Sequence, residues 1–118
     1  MKLSLIITTY NWPDALELVL KSVENQTIFP NEVIIADDGS GSETREVIQL
    51  YKKKSRLNII HSWQDDLGFR VSRSRNKAIL NSSGDYIVLV DGDMILHPNF
   101  IKDHLSLADI GYFVQGSR

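Results

Sequence analysis

The sequence predicts an α/β fold, with a mostly parallel sheet covered on both faces by helices, and three observations lead there. Short β-branched apolar runs alternate along the chain with stretches whose apolar residues recur at helical spacing. Those runs are apolar on consecutive residues, as strands buried on both faces must be. Three of them end in polar clusters, Thr8-Thr9-Tyr10-Asn11, Asp37-Asp38-Gly39-Ser40 and Asp91-Gly92-Asp93. Open α/β sheets bind ligands at the carboxyl ends of their strands, where these clusters would converge.

The elements follow in order. Residues 2–8 are β-branched and apolar on both faces and read as the first strand. Asn11 offers a helix cap, Pro13 suits a first helical turn, and Leu16, Val19, Leu20 and Val23 make one apolar stripe on a helix over about 13–25. A turn at Pro30-Asn31 leads to a second strand at 33–36. Ser40 followed by Glu43 reads as a capping box, opening a helix whose inner face carries Val47, Leu50 and Tyr51. Lys52, Lys53, Lys54 and Arg56 then sit at its C-terminal end, where the helix dipole favours cations and where they read as a solvated end.

Residues 58–61 read as a third strand. A loop with Trp63, Asp65, Asp66, Gly68 and Phe69 precedes a helix over about 71–82, with Val71, Ala78 and Ile79 facing inward. Gly84 stands where a helix C-terminal glycine belongs, and residues 85–90 form a fourth, interior strand. A helix near Pro98 and a strand-like run at 112–115 complete the chain.

Composition narrows the class of function. The chain has 118 residues, enough for one domain, with 42% hydrophobic and 24% charged residues. A net charge of −2 lacks the Lys/Arg excess of a dedicated nucleic-acid binder. There is no cysteine, which excludes disulfides and thiolate metal sites and allows a reducing, cytoplasmic setting. The longest apolar runs fall far short of the roughly 18–20 residues that span a bilayer. Any attachment to a membrane is therefore expected through a parent protein or its partners.

Asp91 and Asp93 flank a glycine at a strand end, so both carboxylates can reach one hard cation. Mn²⁺ or Mg²⁺ suits such a pair, because either ion completes its shell with phosphate oxygens and water. Arg70, Arg73 and Lys77 stand at i, i+3 and i+7 near a helix start, a spacing suited to a diphosphate as well as to an exposed basic face. No Gly-x-Gly-x-x-Gly follows the first strand, which disfavours a nicotinamide dehydrogenase. An Asp-x-Asp after the fourth strand rather than the first disfavours a phosphoryl-transfer enzyme of the haloacid dehalogenase type.

Four ordered motifs, Thr8-Thr9-Tyr10-Asn11, Asp37-Asp38-Gly39-Ser40, Gly68-Phe69-Arg70 with Arg75-Asn76, and the run from Gly84 to Asp93, resemble the family 2 glycosyltransferases. The likeness is to the branch of chondroitin-polymerase-like and galactosyltransferase-like bacterial enzymes. It implies the GT-A, Rossmann-like nucleotide-sugar-binding fold and metal-dependent inverting transfer. Thr8 and Tyr10 would line the base and ribose pocket, and Asp38, or its neighbour Asp37, would accept the uracil imide N–H. Arg70 would approach the diphosphate, Asp91 the ribose or metal, and Asp93 the cation. The resemblance implies a UDP-sugar donor and a glycan or lipid-linked acceptor in cell-surface polysaccharide synthesis. The general base is expected beyond Arg118, so the chain reads as the donor-binding, truncated part of a larger transferase. Self-association through apolar residues 112–114 is an accompanying expectation. A non-catalytic nucleotide-sugar-binding or scaffold module is the second reading.

Overall fold

The computed structural model describes residues 2–68, 70–107 and 113–115. Its strands are β1 (Leu3–Thr9), β2 (Glu32–Asp37), β3 (Ile59–Trp63), β4 (Tyr86–Val90) and β5 (Phe113–Gln115). The helices are α1 (Pro13–Glu24), α2 (Ser42–Lys54), α3 (Val71–Leu80) and α4 (Phe100–Leu107). All strand pairs are parallel, in the order β3-β2-β1-β4-β5, so β1 is central and β4 interior. Every residue of β1 and β2 is buried, which is why both read as unbroken apolar runs.

Side chains alternate between two cores. Leu3, Leu5 and Ile7 of β1, Val33 and Ile35 of β2 and Val88 and Val90 of β4 pack with Leu16, Val19, Leu20 and Val23 of α1, Ile48 and Tyr51 of α2, and Phe100 and Ile101 of α4. On the opposite face Ile6, Ile34, Ala36 and Leu89 meet Ala78 of α3. Burying an aliphatic side chain contributes about 1.5–3 kcal/mol, so the first, larger cluster supplies most of the apolar stabilisation. The register places Ile7 beside Val90, and Thr9 beside Asp37, bringing the polar strand ends level along one edge of the sheet.

Several local expectations are corrected. α2 begins at Ser42 with Gly41 as its cap residue and no side-chain cap, because Ser40 Oγ instead accepts the Asn11 N–H at 2.8 Å. Asn11 does not cap α1; its Oδ1 accepts the Gly41 N–H at 2.8 Å, and its backbone is left-handed, with φ of 46°. These two hydrogen bonds lock the β1–α1 turn to the β2–α2 turn. Leu50 is exposed, and Thr44, Ile48 and Tyr51 form the buried face of α2. α3 ends at Leu80 with Asn81 as its cap, and the Gly84 N–H donates to Ser4 Oγ at 2.9 Å. The main chain of β5 pairs with β4, but Tyr112 and the side chains of 113–115 lie outside the described residues, as does the apolar face expected there.

At the end of the sheet away from the polar cluster lies a buried carboxylate. Glu32 accepts from Ser4 Oγ at 2.6 Å, from the Ser83 N–H at 2.7 Å and from Ser83 Oγ at 3.0 Å. Burial pushes its carboxyl up, but these donors outweigh burial and hold the group below its ordinary value.

Candidate functional site

A cleft of about 310 Å³ opens at the carboxyl ends of the strands, above the N-terminal turn of α3. β1 and the turn after it supply Thr8, Thr9, Tyr10 and Trp12; Asp38 follows β2; Val71 and Arg75 come from α3; Asp91, Gly92 and Asp93 follow β4. Side-chain alternation selects these residues. Thr8, Asp38 and Asp91 continue the rows of Ile6, Ala36 and Leu89, the face covered by α3.

The same alternation separates the paired aspartates. Asp37 continues the row of Val33 and Ile35, is 0% exposed, and does not line the cleft. Its Oδ2 lies 2.7 Å from His61 Nε2 and its Oδ1 accepts the Ser40 N–H at 2.8 Å. Burial pushes this carboxyl up, but the His61 and Ser40 hydrogen bonds prevail and hold it below the ordinary aspartate value. Asp38 faces the cleft, where Oδ1 accepts from Gln64 Nε2 at 2.6 Å and Oδ2 from the Arg70 N–H at 2.7 Å. A carboxylate has about four lone-pair positions, so Asp38 keeps acceptor capacity towards the cleft. Gly39, at φ of +97°, is required by the turn: a Cβ there would meet the Asp66 backbone at 2.5 Å.

Tyr10, which lines the cleft, donates to Asp66 Oδ2 at 2.7 Å in an exposed hydrogen bond. This bond, more than burial or the Asp66 charge, raises the Tyr10 hydroxyl above its ordinary value. Arg70 is not on the cleft wall. It is the N-cap residue of α3, its N–H is bound to Asp38, and its Nε is buried with no partner among the described residues. Arg75 is the α3 cation that lines the cleft, with Nη2 3.5 Å from Asp91 Oδ1. The expected row of Arg70, Arg73 and Lys77 does not form a cleft surface: Arg70 precedes the helix, Arg73 is exposed, and Lys77 Nζ donates to the Trp63 carbonyl at 2.6 Å. Arg75 is a cleft residue that the expected row of Arg70, Arg73 and Lys77 leaves out, while Gln64, which does not line the cleft, holds Asp38. The one-turn separation of Val71 and Arg75 on α3 is the signal that could have found Arg75.

Asp91 and Asp93 both line the cleft. Gly92 between them packs on β1 so closely that a Cβ would overlap the Thr8 carbonyl oxygen. Among the described residues no group of three or more His, Asp or Glu side chains could hold a metal. Two carboxylates on one cleft wall nevertheless fit Mn²⁺ or Mg²⁺, which bind through one or two carboxylates when substrate phosphates and water fill the remaining positions.

Residues 4–118 match the sequence model of glycosyl transferase family 2. The chain is 37% identical over 105 residues to a hyaluronan synthase of Pasteurella multocida, covering 88% of this chain and 11% of that protein. It is 34% identical over 106 residues to a chondroitin synthase of Escherichia coli, covering 89% of this chain and 15% of that one. Among solved structures, S. aureus TarS 1-349 in complex with UDP-GlcNAc superposes with a TM-score of 0.76 at 30% identity, over 90% of this chain and 30% of that one. This chain therefore spans less than a third of each of these three proteins. The fold is the GT-A fold of such transferases, and the chain belongs to glycosyl transferase family 2.

Proposed function

We propose that the cleft binds a UDP-sugar together with Mn²⁺ or Mg²⁺. The protein then transfers the sugar, with inversion, to a glycan or lipid-linked acceptor in cell-surface polysaccharide synthesis. One observation carries this reading: residues from four separate stretches, Thr8, Asp38, Arg75 and the Asp91/Asp93 pair, face one cleft at the carboxyl edge of the sheet. The similar TarS chain, solved with UDP-GlcNAc, supports the donor class, and the similar hyaluronan and chondroitin synthases support a polysaccharide product.

In this reading Asp38 accepts the imide N–H of the base, with Arg70 and Gln64 holding its carboxylate in place. Thr8 and Tyr10 flank the base and ribose, and Tyr10 exchanges its Asp66 partner for the nucleoside. Arg75 faces the diphosphate, where a guanidinium offsets the charge that grows on the leaving group as the anomeric bond breaks. A divalent cation held by Asp91 and Asp93 would supply further neutralisation of that charge. Binding energy from base and ribose fixes the anomeric carbon for attack by an acceptor hydroxyl. Calorimetric titration with UDP, with and without Mn²⁺, tests the proposal: binding strengthened by the metal is expected, and a folded sample that binds under neither condition contradicts it.

A further inference from the structure

The carboxylate-bearing turn has regular structure on one side only. β4 ends at Val90, and no helix or strand follows until α4 begins at Phe100. What fixes the downstream side is a set of polar groups at the far end of α1. Gln26, 6% exposed, donates from Nε2 to the His97 carbonyl at 2.7 Å and the Ser22 carbonyl at 3.1 Å, and its Oε1 accepts the Ile101 N–H at 3.0 Å. Ser22 Oγ accepts the Leu96 N–H at 3.1 Å while donating to the Val19 carbonyl at 2.6 Å. The Thr27 N–H donates to the Pro98 carbonyl at 2.9 Å. Residues 96–101 are thus held at four backbone groups by residues more than seventy positions earlier.

Each of these bonds lies away from the cleft, and Gln26 and Ser22 are buried. A buried amide that satisfies both a carbonyl and an N–H of a distant segment fixes that segment at two points, and removing it leaves both groups unpaired. Leu96 stands three residues from Asp93, a chain reach of about 10 Å at most. The Met94 N–H closes the turn on the Asp91 carbonyl at 3.1 Å, so little slack remains between the anchor and the carboxylates.

We propose that Gln26, assisted by Ser22, is a positioning residue for the Asp91/Asp93 pair: it anchors the strap that follows the pair, so that both carboxylates are held in place for a cation and diphosphate before either arrives. The inference rests on the donor-binding reading above. It makes the α1 terminus, which does not line the cleft, a determinant of the metal-dependent part of binding.

The test compares the wild-type chain with Gln26→Ala and Ser22→Ala. UDP affinity is measured with and without Mn²⁺, and amide hydrogen exchange is measured at Leu96 and Ile101 without ligand. Gln26→Ala is expected to lose at least tenfold of the affinity that Mn²⁺ adds, with metal-free UDP affinity unchanged within about twofold. Exchange at Leu96 and Ile101 should quicken while β1 amides stay protected. Ser22→Ala should shift the same way by about threefold, and it carries the test if Gln26→Ala does not fold. An unchanged metal increment overturns the proposal, as does an equal fall with and without metal, which would mark a purely structural role. If the wild type binds no UDP at all, it is the donor reading that fails. Exchange then decides the anchor alone: quickening at Ile101 supports it, and no change overturns it.

Discussion

Asp38 accepts the backbone N–H of Arg70 at 2.7 Å, across 32 residues of sequence, so the end of β2 and the start of α3 form one wall of the cleft. The neighbouring Asp37 performs a different task on the opposite face, paired with His61 at 2.7 Å. The two aspartates should therefore separate experimentally. Asp38→Ala removes the acceptor of the Arg70 N–H and one of two acceptors of Gln64 Nε2, at about 1–3 kcal/mol for an unmet buried partner, and is expected to weaken UDP binding at least tenfold. Asp37→Ala should lower stability by a similar amount with UDP affinity kept within a few-fold. Chemical denaturation beside calorimetry measures both, and equal effects on affinity would contradict the division.

The two arginines divide in the same way. Arg75→Ala is expected to weaken UDP by tenfold or more and leave uridine unaffected, because a guanidinium on the cleft wall acts on phosphate charge. Arg70→Ala keeps the backbone N–H that holds Asp38 and removes a side chain that does not line the cleft, so UDP and uridine affinity should both stay within a few-fold. Competition titration with the two ligands reads the difference, and the reverse pattern would return the diphosphate role to Arg70.

Gly92 offers a steric test. A Cβ at this position overlaps the Thr8 carbonyl oxygen, so Gly92→Ala must displace β4 or the turn. A forced small-to-large change in a packed site costs about 1–3 kcal/mol. Thermal melting should fall by several degrees, and metal-dependent UDP affinity should fall with it. An unchanged melting temperature would show that the turn yields freely.

Much of this was legible in the sequence, for reasons particular to each element. The runs that became β1 and β2 are buried on both faces, so continuous apolar patterning found them. Pro13 stands at the start of α1 as its fixed φ dictates. Asp38 could be told from Asp37 only by counting side-chain alternation from Ile34 and Ala36, which demands the strand register. Helical spacing does not extend to Arg70, which precedes α3 as its cap residue, so the spacing of Arg70, Arg73 and Lys77 does not make one helix face. By local pattern the Ser40 and Asn11 side chains read as caps of their own helices, but each serves the other's turn, a tertiary exchange that no local pattern encodes. Gln26 gave no signal, since its partners His97 and Ile101 lie 71 and 75 residues away.

Glu32 and Asp37 predict the acid limb of stability. Both carboxyls lie below their ordinary values of 4.5 and 3.8 in the folded chain, so each contributes stability that is fully present above those values. That stability is lost as pH falls through the lower, folded-state values. Denaturation midpoints should hold steady from neutral pH to about 5 and drop steeply below 4.5. Glu32→Gln should be less stable at pH 7 and show a shallower acid drop. An acid limb as steep as that of the wild type would contradict the role given to Glu32.

The central claim is that the strand-end cleft is the donor site, and a crystal structure with UDP and Mn²⁺ tests it most directly. The expected result is one nucleotide in the cleft: its base on Asp38 beside Tyr10, its diphosphate facing Arg75, and the cation between the phosphates and the Asp91/Asp93 carboxylates. A nucleotide bound elsewhere on the chain, or a cleft empty at saturating UDP and Mn²⁺, would contradict it.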